Sequence, residues 1–568
     1  MDSSQQQPFI FPLKGGLVLN KSNFEVESGS ALELENFEPD TTGGYRRING
    51  YEKWSNHTVP FTTSSTEKVL MSALYNNEVI AARGESIYRA TDSATTLDGT
   101  ITDIVTSIVL TSTVGFTTTG TILIEDELIT YTGISTNTLT GCTRGTSSTT
   151  PIAHTTGVAV YQGWTSIDSG RTAAEKYNFE RLTYNNVDVL LFADGANSAS
   201  YWNGSAITDI NSTGAPADPS VVTVFKNTIF MAGASATPNE IVYAAPLSVD
   251  DFTSANGAGS FVIDATVTGM KVFREELYIF SASRIYKLVG SSQADFQLVS
   301  VTREIGCRNG STIQEFAGNL VFLGPDGLRT VEGTARIGDV ELSAITKPVQ
   351  ELFQGRTDVA DFDSVVIPNK TQYRIFFNSE NSTASSTDGV ICVRTQEGYE
   401  FATTKGLQTS CTDSDEYLGD FYVLHGSNDG YVYRQEKGNT FDGTTIIGRY
   451  RSPDLTAGDA GIRKSFQRVI INYAPEGKVN ADLFLRYDYE SPDAPRPAAY
   501  PFDSTKVVAL YGTAEYGVST YGGQTDPLIR QSVEGSGFSV ALRVVDNGIS
   551  VPYSLKGFQL EFKAAARR

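Results

Sequence analysis

Cysteine, histidine, methionine and tryptophan are all scarce in this chain. Four cysteines, three histidines, four methionines and three tryptophans are spread over 568 residues. Cys142, Cys307, Cys392 and Cys411 stand far apart, with no CxxC pair and no neighbouring histidine. That spacing argues against both a disulfide framework and a zinc site. His57, His154 and His425 are too few and too scattered for a metal centre or a choice of catalytic triads. No apolar run approaches the ~18 residues of a membrane-spanning helix. The opening MDSSQQQPFIFPLKGG lacks the basic start and apolar core of a secretory signal. The chain is therefore expected to fold in a cytosol, without membrane insertion. Charged residues make up only 19%, and cations are the minority, leaving a formal charge of −21. A protein that grips nucleic acid concentrates Lys and Arg against phosphates, so that class is disfavoured. A surface that nucleic acid slides past remains compatible, because an acidic wall repels phosphate.

What is abundant points one way. There are 27 Tyr, 30 Phe and 52 Gly. Aromatic strand formers broken by Gly, Asn and Asp suit an all-β protein. The length allows roughly three or four domains at ~100–200 residues each.

Residues 1–54 read as an extended β segment contributing to a platform, with turns at Pro39-Asp40 and Gly43-Gly44. Arg46 and Arg47 form a local basic spot there, read as a solvated strand edge in preference to a partner contact. From 55 to 91 and from 163 to 455 one unit recurs. A strand meets a two-residue turn (Asn76-Asn77, Arg274-Glu275, Gly318-Asn319), and an apolar strand follows. A second, Gly-containing turn comes next (Gly84, Asp194-Gly195, Asp326-Gly327, Asp429-Gly430), and an outer strand closes the unit. Roughly 40–50 residues per unit is the period of a β-propeller blade, leaving room for six to eight blades; a series of β-sandwiches is the competing architecture. Residues 92–162 break the rhythm with Thr-rich, strictly alternating text and read as a small β module inserted between strand GESIYRAT and strand GWTSIDSG. Residues 456–568 carry longer alternating strands, expected to form a β-sandwich-like domain, with a loop-rich stretch at Pro492–Pro527 and a frayed KAAARR end.

Catalytic motifs are missing. There is no P-loop, no GxGxxG opening a helix, no HExxH and no GxSxG. Glycan cleavage needs two carboxylates at a set separation. Glu125-Asp126 and the run Asp413–Glu416 are the candidates for that role, but they read as a hairpin turn and a solvated loop. Asn428-Asp429-Gly430 lacks the alternating acids of a calcium loop and reads as a turn. No catalytic, cofactor-binding or metal-binding residue is assigned, and no enzymatic activity is expected.

Two stretches resemble phage structural proteins. The N-terminal Gly15-Gly16-Leu17, Leu34-Glu35-Asn36-Phe37, Pro39-Asp40, Arg46-Arg47 and Gly50-Tyr51 resemble the opening of the tail-nozzle (tail tubular protein B) and packaged-DNA-stabilisation family of short-tailed phages. Thr119–Val160, with its Ile-Thr-Tyr-Thr-Gly, Leu-Thr-Gly-Cys-Thr-Arg-Gly and Ala-His elements, is similar to a small module of phage tail proteins. The resemblance implies a homohexamer below the portal and the head-to-tail adaptor, in the virion tail and assembled in the host cytoplasm. Its propellers would ring a channel that DNA crosses without specific binding, and tail fibres would be further partners. The alternatives are a receptor-binding or glycan-degrading tail protein, or another hub or decoration component.

Overall fold

The computed structural model describes residues 7–61, 68–174, 176–336, 344–378, 387–503 and 528–564. The end KAAARR from residue 565 and residues 504–527 of the loop-rich stretch lie outside the described residues. The protein is all-β: short antiparallel strands dominate, and the only α-helix among the described residues is Val331–Arg336.

Among the described residues, seven largely antiparallel sheets follow one another along the chain. The first contains Met71–Tyr75, Glu78–Arg83, Ser86–Ala90 and Thr165–Ser169; the second begins with Asn178–Tyr184, the third with Val221–Phe225 and the fourth with Val267–Phe273. The fifth begins with Gln314–Phe316, the sixth with Asp363–Ile367 and the seventh with Cys411–Tyr417. The first strands of sheets two to seven pack against their neighbours in order, directly or through the turn at Gly310–Thr312, and the seventh packs back on the first. The cycle closes through Arg181, whose guanidinium donates to the Leu74 carbonyl at 2.9 and 3.0 Å. The apolar cores lie between successive sheets. Met71, Ile80 and Ile87 of the first meet Leu190, Phe192 and Trp202 of the second, and Leu191 and Ala193 then meet Val222, Ile229 and Met231 of the third. Central strands are buried on both faces, which is why they read as unbroken apolar runs.

Local turn chemistry builds these sheets. The first hairpins of the second, third and fourth sheets turn on Asn185-Asn186, Lys226-Asn227 and Arg274-Glu275, all six residues with φ between 48° and 65°. Paired left-handed residues match the twist of the flanking strands. The fifth sheet turns on Ala317-Gly318, one residue earlier than the expected Gly318-Asn319, because Phe316 pairs with Asn319.

Between Ala90 and Thr165, which sit on neighbouring strands of the first sheet, Ala94–Gly163 forms a four-stranded and a three-stranded sheet around a core of its own, including Ile108, Ile122, Ile129 and Leu139. The chain ends build a two-sheet body. One sheet joins Tyr553–Ala564 and Lys464–Pro475 to Gln7–Pro12 and Tyr45–Arg47; the other joins Val540–Asp546 and Asn480–Tyr487 to Gly448–Arg451. Strands pair across the boundaries expected at 54 and 455. Tyr51–Lys53 pairs with Val432–Gln435 as the outer strand of the seventh sheet, and Glu33–Glu35 bridges the sixth sheet to Gly448–Arg451. A three-residue strand leaves too short an alternation to show its partner in sequence.

Arg46 and Arg47 correct the solvated-edge reading. Arg47 is fully buried, 3.2 Å from Asp546, and donates to the carbonyls of Ser550 (2.7 Å), Ile446 (3.0 Å) and Gly548 (3.1 Å). Arg46 is clasped by Glu476 at 2.6 Å and Glu38 at 3.0 Å. A buried guanidinium needs acceptors: the two terminal nitrogens of Arg47 find carbonyls, while its Nε beside Asp546 makes no hydrogen bond.

Candidate functional site: the ring axis and the inserted module

The first strands converge on an axial cavity of about 180 Å³, lined among others by Lys176, Arg181, Asp363, Thr412 and Asp413. Its charges are matched pairwise. Lys176 lies 3.2 Å from Asp363, which also accepts from Thr412 Oγ1 at 3.0 Å. Arg181 bonds Asp413 and lies 2.9 Å from Asp415, while Asp413 also accepts from the Leu74 amide at 2.8 Å. Burial pushes the Asp363 carboxyl above its usual range against the pull of Lys176. Burial disfavours the Arg181 charge, but Asp413 and Asp415 outweigh it and hold the guanidinium above its ordinary value.

Asp413–Glu416 therefore does not lie in a solvated loop. It belongs to the strand Cys411–Tyr417, and Asp413 is buried at the ring seam. Its alternation of polar residues looks like a loop in sequence, because on this strand the inward positions carry charges paired to other sheets. Glu125-Asp126 does form a hairpin turn, between Gly120–Ile124 and Glu127–Tyr131. Asn428-Asp429-Gly430 lies between two strands of the seventh sheet.

The inserted module holds a dense polar knot, which sequence reading missed. The buried Glu127 carboxylate receives the Arg144 guanidinium at 2.7 and 2.8 Å, the amides of Gly145 (3.0 Å) and Ile152 (3.1 Å), and His154 Nε2 at 2.8 Å. The other His154 ring nitrogen lies 2.7 Å from Glu125. Burial opposes the charge on Glu127, but Arg144 and the other donors overcome it and hold the carboxyl down at about 2. Arg144 and His154 are the Arg and His of the Thr-Arg-Gly and Ala-His elements; their spacing carried the signal, but their common partner did not show. All four cysteines are buried thiols. Among the described residues no group of three or more His, Cys, Asp or Glu is placed to hold a metal ion, and no helix is long and apolar enough to cross a membrane.

No family model and no curated protein matches this chain. Solved structures give distant likenesses. The extracellular domain of a hybrid two-component system from B. thetaiotaomicron is 10% identical, with a TM-score of 0.32 over 74% of this chain and 43% of that one. An ancestral GH74 enzyme is 9% identical, with a TM-score of 0.26 over 70% of this chain and 54% of that one. Hsv2 from Kluyveromyces lactis is 10% identical, with a TM-score of 0.28 over 60% of this chain and 98% of that one. The chain thus spans about half the length, or less, of the first two.

Proposed function

We propose that this chain is a structural subunit of a phage tail: a nozzle protein, six copies of which surround the DNA exit channel below the portal and adaptor and retain packaged DNA until ejection. In this reading the cycle of seven sheets is a seven-bladed propeller. The observation that carries the proposal is where the nozzle-like residues sit. At Gly16 (φ 64°) an added methyl would come within 2.7 Å of the Phe401 backbone; at Gly50 it would strike the Thr440 carbonyl. Tyr45 hydroxyl bonds Gly16 and Gly29, Arg47 is buried against Asp546, and Tyr51 stacks on Phe441. The resemblance is thus written in residues that weld the ring to the two-sheet body. That suits a protein acting through rigid shape.

The ring's own axis is too narrow to be the passage. A cavity of about 180 Å³, crossed by ion pairs, cannot admit a duplex whose major groove alone is about 12 Å wide. A channel must then form between copies, through a head-to-tail contact that closes under cyclic symmetry. The net charge of −21 makes such a wall non-adhesive. The glycan-degrading alternative is less favoured, because Asp363 and Asp413, the buried axial carboxylates, are tied to Lys176 and Arg181. Electron micrographs of virions carrying a labelled copy of this chain test the proposal. Label at the distal tail, on the particle axis, is expected; label on the capsid surface or on lateral fibres overturns it.

A further inference from the structure

Among the ring's first strands, Asn178–Tyr184 stands apart. None of its residues is fully buried, whereas Met71–Tyr75 is buried throughout and Val221–Phe225 at four of its five positions. Open space follows it from axis to rim. Arg181 lines the axial cavity, a second of about 280 Å³ between the first, second and seventh sheets, and a third of about 660 Å³ reaching the third and fourth sheets. Spaces of several hundred Å³ are the size of small-ligand sites.

We infer that this depression along Asn178–Tyr184 binds a neutral oligosaccharide. This is a binding function separate from the proposed wall role and independent of how many copies assemble. The lining chooses the class. In the largest cavity Glu180 is matched by Lys271, and Arg181 by Asp413 and Asp415, so a sulfated, phosphorylated or uronic chain finds no free cation there. A cationic chain finds no free counter-charge at the inner end, because Asp363, Asp413, Asp415 and Glu180 are already matched to Lys176, Arg181 and Lys271. What remains toward the rim of the largest cavity is amide and ring, Asn185 and Asn227 at hairpin tips with Tyr184 beside them, while the second cavity adds Asn76 and Tyr417 together with the carboxylates Asp188 and Glu416. Sugar rings present hydroxyl edges to the first and apolar faces to the second.

One leucine reinforces the assignment. Leu247, in the wall of the larger cavity, has φ 59° and is 74% exposed. A left-handed backbone strains a leucine, and exposure forgoes its burial. Strain kept at the edge of an open depression points to contact with a ligand.

Calorimetric titration of the full chain with maltoheptaose, cellohexaose and chitohexaose tests this, with oligogalacturonate and oligolysine as charged controls. At least one neutral oligosaccharide is expected to bind with a Kd of about 1 mM or tighter. Y184A and L247A are expected to weaken it tenfold or more, L247A with melting temperature unchanged. Tyr184 packs on Tyr201, so the exposed Leu247 serves as the variant that does not threaten the fold. Binding of the charged controls alone, no binding of any neutral chain, or binding untouched by L247A overturns the inference.

Discussion

Two single residues carry testable pH dependences. Glu127 is held at about 2 in the fold against an ordinary ~4.3. Its contribution is complete above about pH 5 and drains away as pH falls toward 2. Hydrogen exchange across residues 94–163 is expected to accelerate over that window before the ring sheets loosen. Glu127→Gln abolishes the pH dependence and, by leaving the buried Arg144 uncompensated, destabilises the module by about 3–5 kcal/mol. His425 works in the same direction for another reason. Burial between Tyr51 and Tyr433 holds its ring down at about 3, so it folds neutral. Stability is complete above about 6.5 and is lost as pH falls below that, by about 2 kcal/mol at pH 5 relative to pH 8. His425→Phe is expected to raise the melting temperature at pH 5 far more than at pH 8. Neither role was legible in sequence, since three isolated histidines give no pattern; the partners of His154 lie 27 and 29 positions away.

At the scale of elements, the hairpins were the most legible feature, because their turn residues are chosen by backbone conformation. Asn76-Asn77 and Arg274-Glu275 are turns where the residue types say so, and Thr165–Ser169 rejoins the first sheet after the Thr-rich stretch. The misses were elements whose partner lies far along the chain. Tyr51–Lys53 closes a sheet begun at Cys411, and nothing local marks it. Asp413 was hidden for the same reason, since its counter-ion Arg181 belongs to another sheet. Turn energetics give a direct test. Ala317 holds φ 52° before Gly318, a position that favours asparagine. Ala317→Asn is expected to raise stability by about 0.5–1 kcal/mol, read as an upward shift of the thermal midpoint; a lower midpoint counts against this turn geometry.

For the whole molecule, the ring is locked by a strand from near the start of the chain, and the two-sheet body is built from both ends. Removing residues 1–53 should therefore unfold more than the removed strands. The seventh sheet loses its outer strand and the Arg47–Asp546 pair disappears, so the truncated chain is expected to lose its single cooperative melt. An intact ring after truncation contradicts this account of closure. If the protein acts as a wall made of several copies, mass measurement of the purified 61.4 kDa chain mixed with a phage head-to-tail adaptor ring tests this most directly. Six copies per adaptor ring are predicted; a chain that stays monomeric and never joins the adaptor contradicts the account.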